Sequence, residues 1–370
     1  MTPVDSDSLA TLSLVAVYSA IAVYVLAFIA FVLDLSARSA RGLKLDAERE
    51  RDAAASGDVD ARRGQLAGAS AAARGAVAGA TATAAGVLER ASSIGGASTG
   101  SNGAGSTATV DDEVNIGSRW QRTGLALTVI AWLIHVAAIV MRGLAAGRVP
   151  WANMFEFAMT GTGVIVTVFL IVQFWRDLRF LGAYVTGIVA LLLGLATVNF
   201  YVAVTPLPPP LQSAWLVIHV FVATLGTGFF AVGAGLSILQ LMQVRREAGG
   251  MQRVPLLRTL PSSEALESMA YRVIVVGFAF WTFTLIAGAI WAERAWGRYW
   301  GWDTKEVWTF VIWVVFAGYI HARATKGWRG SRAAYLAVIG FTAVLFNFTI
   351  VNLFFKGLHS YSGLDLDTGM

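Results

Sequence analysis

Apolar residues in this chain gather into long, nearly unbroken runs rather than the short alternations of half-buried strands or the stripes of surface helices. Eight runs stand out, at about 9–34, 122–143, 153–175, 180–204, 213–243, 268–292, 307–325 and 335–356. They are of the order of the roughly 20 residues that a helix needs to cross a hydrocarbon core of about 30 Å. In lipid, backbone groups must be satisfied within the segment or round a closed barrel, and runs of this length mean helices. The pattern predicts an all-α, polytopic integral membrane protein with about eight transmembrane helices. Asp5 and Asp7 precede the first run, and its apolar core is longer than that of a cleavable signal, so it reads as a retained helix.

Composition agrees. Only 14% of the 370 residues are charged, 56% are hydrophobic, and the mean hydropathy is +0.63. A soluble chain would carry roughly 25% charge. The basic residues add an orientation. Arg176 and Arg179 join the third run to the fourth, Arg245, Arg246, Arg253 and Arg258 the fifth to the sixth, and Arg323, Lys326, Arg329 and Arg332 the seventh to the eighth. Arg and Lys favour cytoplasmic loops. Both termini, the Pro-rich turn at 206–210 and the segment Trp296–Trp308 are then expected outside, in a multi-pass protein of the cell membrane. The lipid bilayer is the expected surrounding, and no nucleic-acid partner is expected.

Three regions are expected: an N-terminal helix at 1–35, an Ala/Gly/Ser-rich cytoplasmic insert at 36–118, and a membrane domain at 119–370. The insert lacks aromatic residues up to Gly117 and cannot bury enough apolar surface to offset its ordering entropy, so it reads as flexible, with a transient helix near Ala71–Ala91. The chain has no cysteine. That excludes thiol redox chemistry, Cys-based metal sites and disulfides within the chain itself.

The four histidines fall at telling places. His135 lies in the second run and His321 in the seventh, whereas His219 is near the outer start of the fifth and His359 just beyond the eighth. Histidine inside a membrane span is costly and by default marks a functional site. Neutral imidazole is a standard axial ligand of haem iron. The expected topology therefore sorts the four into an intramembrane pair, His135 and His321, and an external pair, His219 and His359. The depths of the intramembrane pair are uneven, since His135 lies about 22 Å along a helix rising from Trp120 while His321 is deep towards the cytoplasmic end.

WGRYWGWDTKEVW, from Trp296 to Trp308, sets four indoles among charges at a membrane edge. Aromatic rings stack on flat apolar faces, and Arg and Lys form charge-assisted bonds with carboxylates. Trp296, Trp300 and Trp302 suit a platform, Arg298 and Lys305 suit the carboxylates of a flat ligand, and Gly297 and Gly301 permit a tight bend. An interfacial aromatic belt is the alternative, to which Trp281, Trp291, Trp308 and Trp313 are assigned together with helix packing. Asp303-Thr-Lys-Glu306 also reads as a capping box.

The stretch from Trp296 to Glu306 resembles the WWD signature of haem-handling proteins in cytochrome c maturation, on the CcsA (ResC) branch of System II. A second stretch, Arg142-Gly-Leu-Ala-Ala-Gly-Arg-Val-Pro150-Trp-Ala-Asn153-Met-Phe155-Glu156, is similar to another motif of that family, although Phe155 stands where Tyr is usual and Arg148 where His often occurs. The resemblance spans roughly residues 120–365. It implies that His219 and His359 hold haem b over the WWD loop, that His135 and His321 hold it within the membrane during export, and that haem is the transported ligand. It also implies a CcsB (ResB)-like membrane partner and an apocytochrome c Cys-x-x-Cys-His segment whose thiols add across the haem vinyl groups. The chain would then be a subunit of a holocytochrome c synthase, contributing ligation and orientation and no acid–base catalyst. Arg142, Asn153 and Glu156 are assigned to gating or propionate contact, with an interhelical ion pair as the alternative. The rival functions are a respiratory cytochrome b-like subunit and a transporter of another substrate.

Overall fold

The computed structural model describes residues 5–80, 108–205, 207, 212–251, 254–325, 328–355 and 357–359. Among these residues eight helices are long and apolar enough to cross a membrane, and none is a strand. They are α1 (Ser6–Ala80), α2 (Ala108–Ala146), α3 (Met154–Val172), α4 (Gly182–Asn199), α5 (Ala214–Glu247), α6 (Ser263–Trp296), α7 (Thr304–Ala324) and α8 (Ser331–Phe346), the last reaching membrane length as Ser331–Phe354 with the turns that follow it. Each coincides with most or all of one of the eight apolar runs, the last with its following turns, so the expected all-α multi-pass architecture holds.

Contacts divide the chain into two units, Met1–Arg38 with Ile116–Met370, and Ser39–Asn115. In the second unit α1 continues to Ala80, so the stretch expected as a flexible insert is helical up to that residue. Its Ala, Arg, Lys and Glu content favours helix even without a core. Most of the expected transient helix at Ala71–Ala91 lies outside the described residues, as does most of the Pro-rich turn.

Within the first unit α5 lies at the centre, packed along α6 and against α3 and α8. Gly277 lets α6 come close, since a Cβ there would sit 2.9 Å from that of Phe229. Lipid supplies no hydrophobic drive between spans, so helices associate through such close packing and through interhelical hydrogen bonds. The indoles supply several of these bonds. Trp132 Nε1 donates to Thr167 Oγ1 at 2.8 Å, joining α2 to α3. Trp281 Nε1 donates to the Thr309 carbonyl at 3.1 Å and Trp313 Nε1 to Thr282 Oγ1 at 2.9 Å, joining α6 to α7. Trp281 and Trp313 are thus helix-packing residues. Phe230 of α5 stacks face to face on Phe316 of α7, with centroids 3.6 Å apart. On the other side, α1 docks on α2, where Ser13 Oγ donates to the Ala138 carbonyl at 2.8 Å.

One end of this unit gathers the N-termini of α3, α5 and α7 and the C-termini of α2, α4 and α6. α8 reaches the same end through a π-helical turn, Asn347–Val351, and a last helical turn, Asn352–Phe354. Such turns re-aim side chains and are frequent at functional sites. The Trp-rich loop lies at this end.

Candidate functional site

α6 stops at Gly297, which takes the left-handed backbone conformation at φ 68° that suits a helix C-cap. Six residues later Asp303 caps α7 in a capping box with Glu306. Glu306 accepts from the backbone N–H groups of Gly301 at 2.8 Å and Asp303 at 3.1 Å, and from Arg298 Nη1 at 3.3 Å. One carboxylate therefore shapes the whole loop. A Cβ on Gly301 would meet the Arg298 guanidinium, which would have to swing aside. Trp302 adopts a left-handed φ of 60°, rare for a bulky residue, and its indole is 77% exposed.

Beneath the loop lies a cavity of about 300 Å³, lined mostly by apolar side chains from α3, α4, α5, α6 and α8. His219, His359 and Lys305 are among its polar lining residues, with Asn153, Asn347 and Asn352. Lys305 Nζ donates to Asn352 Oδ1 at 2.6 Å, a bond that the π-helical turn makes available.

The two histidines are held alike. His219 Nδ1 lies 3.1 Å from the Thr284 carbonyl of α6, and His359 Nδ1 lies 2.7 Å from Asp303 Oδ2. A carbonyl or an ionised carboxylate only accepts, so in both rings Nδ1 carries the hydrogen. Neither Nε2 has a hydrogen-bond partner among the described residues, and in a neutral ring its lone pair is free to ligate a metal. Trp291 lies against both rings, its centroid 5.8 Å from that of His219 at an interplanar angle of 15°, and 5.4 Å from that of His359 at 64°. Trp296 packs edge-on against His359 at 4.8 Å and against Trp291 at 4.8 Å. Gly288 leaves the space for His219, since a Cβ there would lie 2.8 Å from the ring's Cε1. Two imidazole nitrogens bordering an apolar space suit a metal carried by a large apolar ligand.

Outside the membrane-spanning segments, the Asp303 carboxyl is held below the usual aspartate range, chiefly by its hydrogen bond to His359. Burial opposes this, and the N–H groups of Leu358 and Lys305 add to it.

The structure thus brings His219, His359, Asp303, Lys305, Trp296 and Trp300 to one end. Trp300 lines the cavity, while Trp296 backs His359 and Trp302 meets Trp300 edge-on at 5.8 Å. Arg298 is bonded to Glu306 and lies over the Trp296 ring at 5.8 Å. Sequence reasoning placed Trp291 with the belt and packing residues and did not single out Thr284, Gly288 or Asn352. Gly288 and Trp291 lie three residues apart on one face of α6, a spacing that alone does not distinguish a site from helix packing.

His135 and His321 are not brought together by any described hydrogen bond or ring contact. His135 is fully buried between α1 and α3, its Nδ1 3.3 Å from Tyr24 Oη and its Nε2 without a hydrogen-bond partner. His321 is exposed in the last turn of α7. Of the Arg142, Asn153 and Glu156 group, Asn153 reaches the cavity and also caps α3 by accepting from the Glu156 N–H at 2.9 Å. Arg142 and Glu156 are buried and bonded to each other at 3.0 Å. Arg148 joins them at 2.7 Å from Glu156 Oε2, and the two guanidiniums also donate to the carbonyls of Val202 and Thr205. This is the interhelical ion cluster of the two alternatives in geometry.

Fold and site together define a helical multi-pass membrane protein with two imidazoles bordering one apolar cavity. The Cytochrome C assembly protein family matches residues 151–359, which contain every residue lining the cavity, whereas His135, Arg142 and Arg148 precede the match. The chain belongs to that family. It is 35% identical over 259 residues to the cytochrome c biogenesis protein CcsA of Guillardia theta, covering 65% of this chain and 86% of the relative. It is 33% identical over 272 residues to CcsA of Trieres chinensis, covering 66% and 87%. It is also 35% identical over 296 residues to CcsA of Synechococcus sp. (strain JA-2-3B'a(2-13)), covering 64% and 84%.

Proposed function

We propose that this chain serves cytochrome c biogenesis by holding haem b, as cargo, between His219 and His359 and presenting it for attachment to an apocytochrome c. One observation carries the reading: both rings have Nδ1 tied to an acceptor-only group, and both border the same apolar cavity beside the Trp-rich loop. That donor set fits an iron porphyrin, which takes imidazole as an axial ligand and buries apolar faces. Trp291 and Trp300 are the aromatic walls, and Lys305 is the cation for a propionate. Haem supplies the iron for ligation and the vinyl groups to which the thiols of an apocytochrome Cys-x-x-Cys-His segment add. The absence of cysteine from this chain assigns those thiols to other proteins. The relatives named as cytochrome c biogenesis proteins support the assignment, with a CcsB-like membrane protein as the partner of a System II synthase.

His135 enters the proposal as an intramembrane ligand because its buried Nε2 lacks a partner. His321 is its proposed companion at a second, transport site. The cavity end is proposed to face away from the cytoplasm, following the basic loops at the other end.

The test is absorption spectroscopy of the full chain purified in detergent from cells with normal haem supply, beside the four His→Ala variants. We expect the wild type to carry haem with the sharp bands of two-imidazole ligation. His219→Ala and His359→Ala should each lose that signature and fail to mature cytochrome c. A haem-free wild type would overturn the proposal, and so would normal maturation by both variants. Retention of all haem in His135→Ala and His321→Ala would remove the intramembrane site.

A further inference from the structure

We infer that Asp303 is a positioning residue for His359, setting from the start of α7 which nitrogen of the ring carries the hydrogen and which keeps its lone pair. The inference rests on the function proposed above. One carboxylate holds both the ring and the backbone of the segment after α8: Oδ2 is 2.7 Å from His359 Nδ1, and Oδ1 accepts from the Leu358 N–H at 3.0 Å. The chain passes so close that a Cβ on Gly357 would run into Oδ1. The carboxylate is itself fixed. As N-cap of α7 it accepts from the Lys305 N–H at 3.3 Å, while Glu306 closes the box on the Asp303 N–H. Orientation is therefore passed from a packed helix to a residue that follows the last helical turn.

The indoles cannot replace this. Trp291 and Trp296 meet the His359 ring edge-on at 64° and 72°, contacts that confine the ring but do not fix its tautomer. Asp303 fixes it, because an acceptor-only group demands the hydrogen on Nδ1 and leaves the Nε2 lone pair. His219 takes the same tautomer from a neutral carbonyl, that of Thr284. A carboxylate partner raises the donor strength of a metal-bound imidazole. The two rings are thus unequal ligands, and the effect of Asp303 falls on His359 alone.

The test uses the full chain in detergent with Asp303→Asn, since Asn caps a helix as well as Asp does, and with Asp303→Ala. Four histidines make 15N-histidine labelling readable without cargo, and the His359 signal is assigned by its loss in His359→Ala. We expect His359 in the Nδ1–H form in the wild type and a shift towards the Nε2–H form in Asp303→Ala, whereas Asp303→Asn should keep the Nδ1–H form, because one oxygen accepts from both the Lys305 N–H and the ring. Titration with haemin should then show affinity about 10–100-fold lower in Asp303→Ala, with part of the low-spin signal replaced by high-spin, and partial recovery in Asp303→Asn and Asp303→Glu. An unchanged His359 tautomer in Asp303→Ala would overturn the inference, as would wild-type haemin affinity and spectrum in that variant. If the wild type takes up no haemin, the function proposed above fails while the 15N spectra still decide the role of Asp303.

Discussion

Asp303 binds the first turn of α7 and the ring of His359 with one carboxylate, so its ionisation has a stability consequence. Its folded pKa is lowered, first by the His359 hydrogen bond, so the folded state binds fewer protons than the unfolded chain near the aspartate range. The contribution is complete above the ordinary value of about 3.9 and is lost as pH falls through it to the lower folded value. Thermal unfolding in detergent should show Asp303→Ala less stable than wild type at pH 7, by about 1 kcal/mol for a lost cap, with the gap narrowing towards pH 3. A gap independent of pH would mean that the charge contributes nothing. Gly288 offers a second residue-level prediction. Gly288→Ala removes a helical glycine and by propensity alone favours the helix by about 1 kcal/mol, yet its Cβ would displace the His219 ring. The expected result is weaker haemin binding, read by titration, in a protein that unfolds no earlier than wild type in the ligand-free state. His219, His359 and the loop indoles were legible from residue type and expected topology. Trp291 was not, because an indole near a helix end looks the same whether it faces lipid or a histidine.

Helices here are positioned by polar devices at their ends as much as by apolar faces. Glu156, in the first turn of α3, pairs with both Arg142 of α2 and Arg148 of the connection, and through them the 202–205 segment that follows α4 is held in place. A buried ion cluster contributes little net stability against an apolar replacement, but removing one partner strands the others, at about 3–5 kcal/mol. Glu156→Gln should therefore lower the unfolding midpoint sharply, whereas a surface change such as Asp177→Asn should leave it nearly unmoved. The sequence named Arg142 and Glu156 but left open whether they face a ligand or each other. Spacing cannot decide this, because Arg148 joins through the fold of the connection. The π-helical turn at Asn347–Val351 was equally invisible in the apolar pattern, and it is what brings Asn352 to Lys305.

Across the whole molecule, the hydrophobic pattern and the basic loops make one prediction about orientation. The chain has no cysteine, so single cysteines report sidedness without background. Gln212→Cys, at the cavity end, should react with a membrane-impermeant maleimide added to intact cells, and Arg176→Cys, at the opposite end, only after the membrane is opened. The reverse result would invert the proposed orientation and with it the side on which cargo is presented. By itself the sequence determined the number and places of the membrane helices, because lipid demands long runs whose backbone bonds are internal. It also marked the capping box at Asp303, because a cap is written in four consecutive residues. Tertiary structure decided which histidines share a cavity, which indole stands against them, and that Asp303 turns back to hold His359. Those contacts join residues separated by tens of positions along the chain, and only the packing of α5 through α8 brings them within bonding distance.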